Sequence, residues 1–189
     1  RRPFGAGPAT TVLVCIAMFR PEKNQRELIE IARELPADLD WQLWLAGEGP
    51  AKAECERLVS VHQLGSRVKF PGLVRDPGPL YAGASIAVHA SSSEALSNFL
   101  IEAQAHGLPV VAYTAQGISE CFVPNQTGWE IPRGQQEAFR AALLRLVRMN
   151  ATERAALATQ ARAFAHATFD PARQVTAYLD LFRRLRAAR

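Results

Sequence analysis

Cysteine is scarce in this chain and poorly placed for chemistry. Cys15, Cys55 and Cys121 lie far apart, with no C-x-x-C pair and no adjacent histidine, so neither a disulfide framework nor a zinc site is expected. Long apolar runs are missing too. No stretch approaches the roughly 18–20 residues of a membrane span, and the Arg-Arg-Pro opening lacks the apolar core of a secretory signal, so a cytoplasmic chain is expected. The absence of a G-x-S-x-G elbow, a Walker loop and an H-E-x-x-H pair leaves serine hydrolysis, P-loop nucleotide hydrolysis and zinc proteolysis without support. His62, His89, His106 and His166 have no metal-ligand spacing, and no metal is expected. Strong net charge is also lacking: 22 basic against 18 acidic residues leave +4, and the aromatic residues sit in apolar patterns, so no nucleic-acid partner is expected. One basic cluster, Arg183, Arg184, Arg186 and Arg189, is a candidate contact with an anionic membrane surface, at the inner face of a membrane.

What the chain does have is a hydrophobic content of 48% over 189 residues, enough for one sizeable core. Short apolar segments alternate with amphipathic ones, the pattern of an α/β fold in which a parallel, Rossmann-like sheet carries helices on both faces. About six strands are read, at 11–18, 41–46, 68–70, 86–89, 110–113 and 129–131. Leu28, Ile31, Ala32 and Leu35 give the first helix an apolar stripe. Beyond Ile131 the pattern becomes helical only, at 135–147, 152–167 and 171–188. Asp170 and Pro171 suit the start of the last helix, and Val175, Tyr178, Leu179, Phe182 and Leu185 form its stripe. Residues 1–10, rich in Gly and Pro, read as a linker ahead of one domain at 11–189.

The most informative stretch is S-S-S-E-A-L-S-N-F-L-I-E-A-Q-A-H-G-L-P, residues 91–109. A buried strand ending at His89 is followed by a polar turn and a helical segment at 96–106, with Ser97 or Asn98 as its N-cap. The N–H groups and positive dipole end of such a helix, placed beyond a strand's carboxyl end, form a seat for phosphate. Glu94 stands in the turn and Glu102 in the second helical turn. A carboxylate accepts two hydrogen bonds side by side, which suits the paired hydroxyls of a ribose or hexose.

The stretch resembles the signature of the retaining family 4 glycosyltransferases of GT-B fold, in which two Glu separated by seven residues precede an A-x-G-x-P-V-V strand, here Ala105 to Val111. The resemblance runs from about Val12 to Phe182 and matches only the C-terminal, donor-binding half of that fold. It implies that Glu94 contacts the donor sugar and Glu102 the nucleotide ribose. Ala17-Met18-Phe19-Arg20-Pro21-Glu22-Lys23-Asn24 resembles the family's G-R-L-x-P-E-K segment, whose lysine, matching Lys23, contacts the donor diphosphate. Glu94 and Lys23 are thereby the candidate catalytic residues.

Several donor-binding candidates follow. The family's arginine falls on Met18, which donates nothing to phosphate, and Arg20 is the candidate replacement. Ala95 stands where the family has Gly, and the amides of Ala95, Leu96, Ser97 and Asn98 form the candidate phosphate loop. Gly117 belongs to a segment resembling G-G-x-x-E. Leu73 and Val74 follow an F-x-G-like segment whose backbone would hold the base, and Gly47 opens a G-x-G-P turn at the cleft edge. His89, at a strand's carboxyl end, is a further candidate.

The implied function is binding of a nucleoside diphosphate sugar for retaining transfer of a hexosyl group to an acceptor hydroxyl, in polysaccharide or glycoconjugate biosynthesis. The resemblance implies no metal or other cofactor. The N-terminal, acceptor-binding domain is expected to be absent from this chain, so the isolated domain should turn over poorly. The alternatives are a GT-B-like binding module without catalysis, marked by Met18 and Ala95, and a sugar-nucleotide epimerase or glycosyl phosphorylase of the same fold.

Overall fold

A computed structural model describes residues 2–187. Six parallel strands form one sheet: β1 (Thr11–Ile16), β2 (Trp41–Ala46), β3 (Val68–Gly72), β4 (Ile86–His89), β5 (Val110–Tyr113) and β6 (Gly128–Ile131), in the order β3-β2-β1-β4-β5-β6. This is the α/β, Rossmann-like arrangement expected from the alternating pattern. β1 pairs with β2 from Thr11↔Trp41 to Ile16↔Ala46, and with β4 through Leu13↔Ile86 and Val14↔Ala87. The strand order therefore reverses between β1 and β4, which opens a crevice at their carboxyl ends. β2, β4 and β5 are buried along their whole length, because helices cover both faces and no alternating polar residue is needed. Pro71 lies on the edge strand β3, where a missing N–H costs least.

The helices follow as α1 (Gln25–Arg33), α2 (Lys52–Val61), α3 (Gly78–Gly83), α4 (Asn98–Ala105), α5 (Gln136–Val147), α6 (Ala151–Phe169) and α7 (Pro171–Ala187). α1 buries Leu28, Ile29, Ile31 and Ala32; Leu35, on the expected stripe, is buried just past the helix end. α6 begins one residue earlier than the sequence indicates because Asn150 and Glu153 form a reciprocal capping box, with backbone bonds of 2.9 and 2.8 Å. Asp170 accepts from the Ala172 N–H at 2.9 Å, as expected of a cap. None of the described α7 side chains is buried, and Val175, Tyr178, Leu179, Leu181, Phe182 and Leu185 are all exposed. The expected residues Ala188 and Arg189 lie outside the described part of the chain.

Besides the start of α6, three stretches differ from the sequence reading. β3, read as ending at Phe70, runs on through Pro71 to Gly72. The first strand ends at Ile16 and not at Met18, because Ala17 makes the last ladder bond, to Ala46, and the Phe19 N–H then bonds Glu48 O at 2.9 Å in a turn. The opening segment, read as a linker, lies against the sheet. Phe4 packs on Trp44 with centroids 5.0 Å apart, its carbonyl accepts from Gln42 Nε2, and Ala6 is buried. Among the described residues, no helix is long and apolar enough to cross a membrane.

α4 is anchored at its far end by a buried polar network. Gln104, fully buried, donates to the carbonyls of Leu108 and Thr127 at 2.8 and 3.1 Å, and accepts from Thr127 Oγ1 at 2.6 Å. Truncating it would take the side-chain donor from the Leu108 carbonyl, leave the Thr127 carbonyl with only the Val110 N–H, and leave the Thr127 hydroxyl with the Val123 N–H but no acceptor of its own in the core. Gln104→Ala is expected to lower the unfolding free energy by about 2–3 kcal/mol in a urea titration, and a loss under about 0.5 kcal/mol would contradict this assignment.

Candidate active site

The chain after β1 turns back through a short 3-10 turn, Pro21–Lys23, whose end is set by Asn24 at φ 51°. That turn is fixed to the loop after β4. The Ser92 N–H donates to Glu22 O at 2.7 Å, and the Ser91 hydroxyl, buried, donates to the same carbonyl at 3.1 Å. The serines of the signature stretch thus join two loops that are about seventy residues apart, and they carry Lys23 to Glu94. Lys23 Nζ lies 2.5 Å from Glu94 Oε1.

His89, only 2% exposed, completes the group. Its Nε2 stands 2.8 Å from the same Glu94 oxygen, and its buried Nδ1 has no partner. The geometry assigns the hydrogen to Nε2 and a bare lone pair to Nδ1. Both contacts fall on Oε1, which leaves Oε2 of Glu94 uncommitted by them. Burial alone would raise the carboxyl pKa, but the hydrogen bonds from His89 and Lys23 outweigh it and hold Glu94 at about 2. At neutral pH this group is a fixed anion that accepts hydrogen bonds and does not carry protons.

The N-terminus of α4 opens on the same space. Ser97 is its N-cap, extended at φ −89° and ψ 99°, but its side chain makes no capping bond. The Leu100 N–H already bonds the Ser97 carbonyl at 3.1 Å, but the amides of Asn98 and Phe99 have no acceptor within the helix, so they and the positive end are available to an anion. Behind this loop, Gly117 is required by close approach: at φ 73°, a Cβ there would stand 1.9 Å from the Ala95 carbonyl oxygen. At the crevice's other side, a Cβ on Gly47, at φ 134°, would meet Ala17 O at 2.1 Å.

A cleft of about 530 Å³ gathers Arg20, Lys23, His89, Glu94, Leu96, Ser97 and Asn98 of the candidate residues, beside Met18. Arg20 is tied only loosely, 3.9 Å from Glu22, and remains half exposed. Met18 is 53% exposed at the position where the resemblance calls for arginine. Ala95, Gly117 and Gly47 shape the rim through backbone and do not line the cleft. Leu73 is largely exposed on the loop after β3, and Val74 is partly covered. Glu102 stands on α4 one turn beyond Asn98, exposed, with Oε2 accepting from the Tyr81 hydroxyl at 2.7 Å. Tyr81 escaped the sequence reading because the Gly-Pro-Leu-Tyr-Ala-Gly segment is too short to show a period. Its one signal is an aromatic residue five positions ahead of a buried strand.

A larger cavity of about 610 Å³ lies at the amino ends of β1, β4 and β5, among Leu39, Leu108, Leu146 and Leu157. Arg154 is its one charged lining residue, so acid–base or phosphate chemistry has less to work with there. The three thiols are buried, and burial pushes Cys15 up to about 12 and Cys55 to about 11, which leaves them unreactive. Among the described residues, no three His, Cys, Asp or Glu side chains are grouped to hold a metal ion.

Because Glu94 is held below its ordinary pKa, its ion pair contributes stability above about pH 4.5 that is lost as pH falls toward about 2. The stability difference between wild type and Glu94→Gln, read by urea unfolding across that range, is therefore expected to shrink as pH falls. A difference independent of pH would contradict the assignment.

Residues 10–149 match the family model described as glycosyl transferases group 1. The chain is 30% identical over 139 residues to the lipopolysaccharide core biosynthesis glycosyltransferase LpsE of Rhizobium meliloti, covering 74% of this chain and 40% of that protein. It is 30% identical over 174 residues to LpsD of the same organism, covering 92% and 49%. The crystal structure of Anabaena Alr3699/HepE in complex with UDP superposes with a TM-score of 0.82 at 24% identity, covering 91% of this chain and 49% of that one. The chain thus spans less than half the length of each of these relatives.

Proposed function

The chain belongs to the group 1 glycosyl transferases, and from that premise we propose that its cleft binds a nucleoside diphosphate sugar. In this reading it is the C-terminal, donor-binding half of a GT-B enzyme of the retaining family 4 type. The carrying observation is the meeting of Lys23, His89 and Glu94 with the uncapped start of α4, at the point where the strand order reverses. That crevice is where open parallel sheets bind nucleotides.

The chemistry follows from the charges. The diphosphate rests against the α4 amides, with Lys23 and Arg20 beside it. As the bond from the anomeric carbon to the diphosphate oxygen breaks, negative charge grows where the helix dipole and the cations already point. Lys23, shared between Glu94 and the phosphate, couples donor sugar to leaving group. Oε2 of Glu94 accepts from hexose hydroxyls and aims the anomeric carbon at the acceptor. The acceptor oxygen bonds that carbon on the face the diphosphate leaves, and its proton passes to the diphosphate. Glu102 takes the ribose hydroxyls, and the backbone around Leu73 and Val74 holds the base. No metal takes part in this scheme.

The remainder of the protein would bind the acceptor; because LpsE and LpsD are named as lipopolysaccharide core biosynthesis enzymes, the acceptor class proposed is a growing polysaccharide or glycoconjugate. The exposed apolar stripe of α7 is the surface that such a remainder would cover. One observation favours a second reading, a binding module that no longer catalyses: Met18 in the place of a phosphate-binding arginine. Donor turnover by the full-length protein separates the two.

Titration calorimetry of this chain with UDP, GDP and ADP tests the donor reading. One of the three is expected to bind, and Glu102→Ala to weaken it by about tenfold or more. Failure of all three to bind, or affinity unchanged by Glu102→Ala, would overturn the reading.

A further inference from the structure

α4 and its C-cap turn three residues toward α3: Phe99 and Glu102 of the helix and His106 just past its end, spaced three and four apart and so on one helical face. Tyr81 of α3 lies against all three. Its ring is stacked near-parallel to His106, with centroids 4.8 Å apart and 21° between planes, and to Phe99 at 6.2 Å and 20°. The residue is 2% exposed, so the phenol has one orientation, and its hydroxyl is delivered to Glu102 Oε2 at 2.7 Å. Burial, with the adjacent carboxylate, pushes the phenol pKa above the ordinary tyrosine range, so it remains a donor.

We infer that Tyr81 is a positioning residue that holds the Glu102 carboxylate in the orientation that receives the ribose of the nucleotide. The inference rests on the donor reading above. Glutamate is among the side chains that lose most rotamer freedom when fixed, and Glu102 is otherwise exposed on a helix surface. A carboxylate pinned through one oxygen by a buried phenol has lost that freedom before the ligand arrives. Oε1 and the second lone pair of Oε2 then present two acceptors to the vicinal 2′- and 3′-hydroxyls. A nucleotide lacking the 2′-hydroxyl can use only one of them, so the phenol sets discrimination between ribo- and deoxyribonucleotides without touching either.

The test is calorimetric titration of the chain with UDP, GDP and ADP and their 2′-deoxy forms, for wild type, Tyr81→Phe, Glu102→Asp and Glu102→Ala. Wild type is expected to prefer the ribo form of its nucleotide by about tenfold. Tyr81→Phe should lose most of that preference, weakening the ribonucleotide about fivefold and leaving the deoxynucleotide within about twofold. Glu102→Asp keeps the charge on an exposed position but draws it back from the phenol, and should show the same loss even if Tyr81→Phe does not fold. A merely structural tyrosine would weaken both forms alike and leave the ratio intact, which would overturn the proposal. If wild type shows no preference, or Glu102→Ala retains it, the ribose assignment of Glu102 fails and the proposal with it.

Discussion

The ion pair between Lys23 and Glu94 joins segments that meet only because the strand order reverses between β1 and β4. Lys23 ends the turn after β1, and Glu94 lies in the loop after β4. In a sheet that ran on in one direction β1 and β4 would not be neighbours, and the two loops would stand apart. Their meeting is fixed by the serine bonds to Glu22 and by the loop around Gly117, which leaves no room for a side chain beside Ala95. Each remaining feature of the crevice takes its place from that junction: His89 behind, the α4 amides beside, and Glu102 one turn further along.

A largely buried carboxylate is an expensive object, and an ion pair does not always offset its desolvation. Glu94 resolves this with two donors on one oxygen. The result is an anion that is secure at neutral pH and still has an oxygen to offer. Such an arrangement suits positioning and charge complementarity better than proton transfer. In the proposed mechanism, the helix dipole and the cations stabilise the departing diphosphate, while the carboxylates orient sugars.

Much of the fold was legible in the sequence. Val12 to Cys15, Ile86 to Val88 and Val110 to Tyr113 are unbroken apolar runs because both sheet faces are covered, and such runs identify themselves. Strand ends were less legible, since Ala17 and Met18 are apolar yet belong to a turn set by partners near Ala46 and Glu48. The packing of Phe4 on Trp44 has no local signature, because it joins residues forty positions apart. The signature glutamates, Lys23 and the helix start were visible in the chain, and their roles came from the family resemblance. That His89 turns its Nε2 to Glu94, and that Tyr81 reaches Glu102, are consequences of tertiary packing that no spacing in the sequence reveals.

Phosphate is proposed to bind where the Lys23–Glu94 junction meets the start of α4. Amide chemical-shift mapping of the nitrogen-15-labelled chain during titration with UDP, GDP and ADP tests it most directly. The largest shifts are expected at Ala95, Leu96, Ser97, Asn98 and Phe99, with smaller ones at Lys23 and Glu102. Shifts concentrated around Leu108, Leu146 and Leu157, at the opposite end of the sheet, would contradict it.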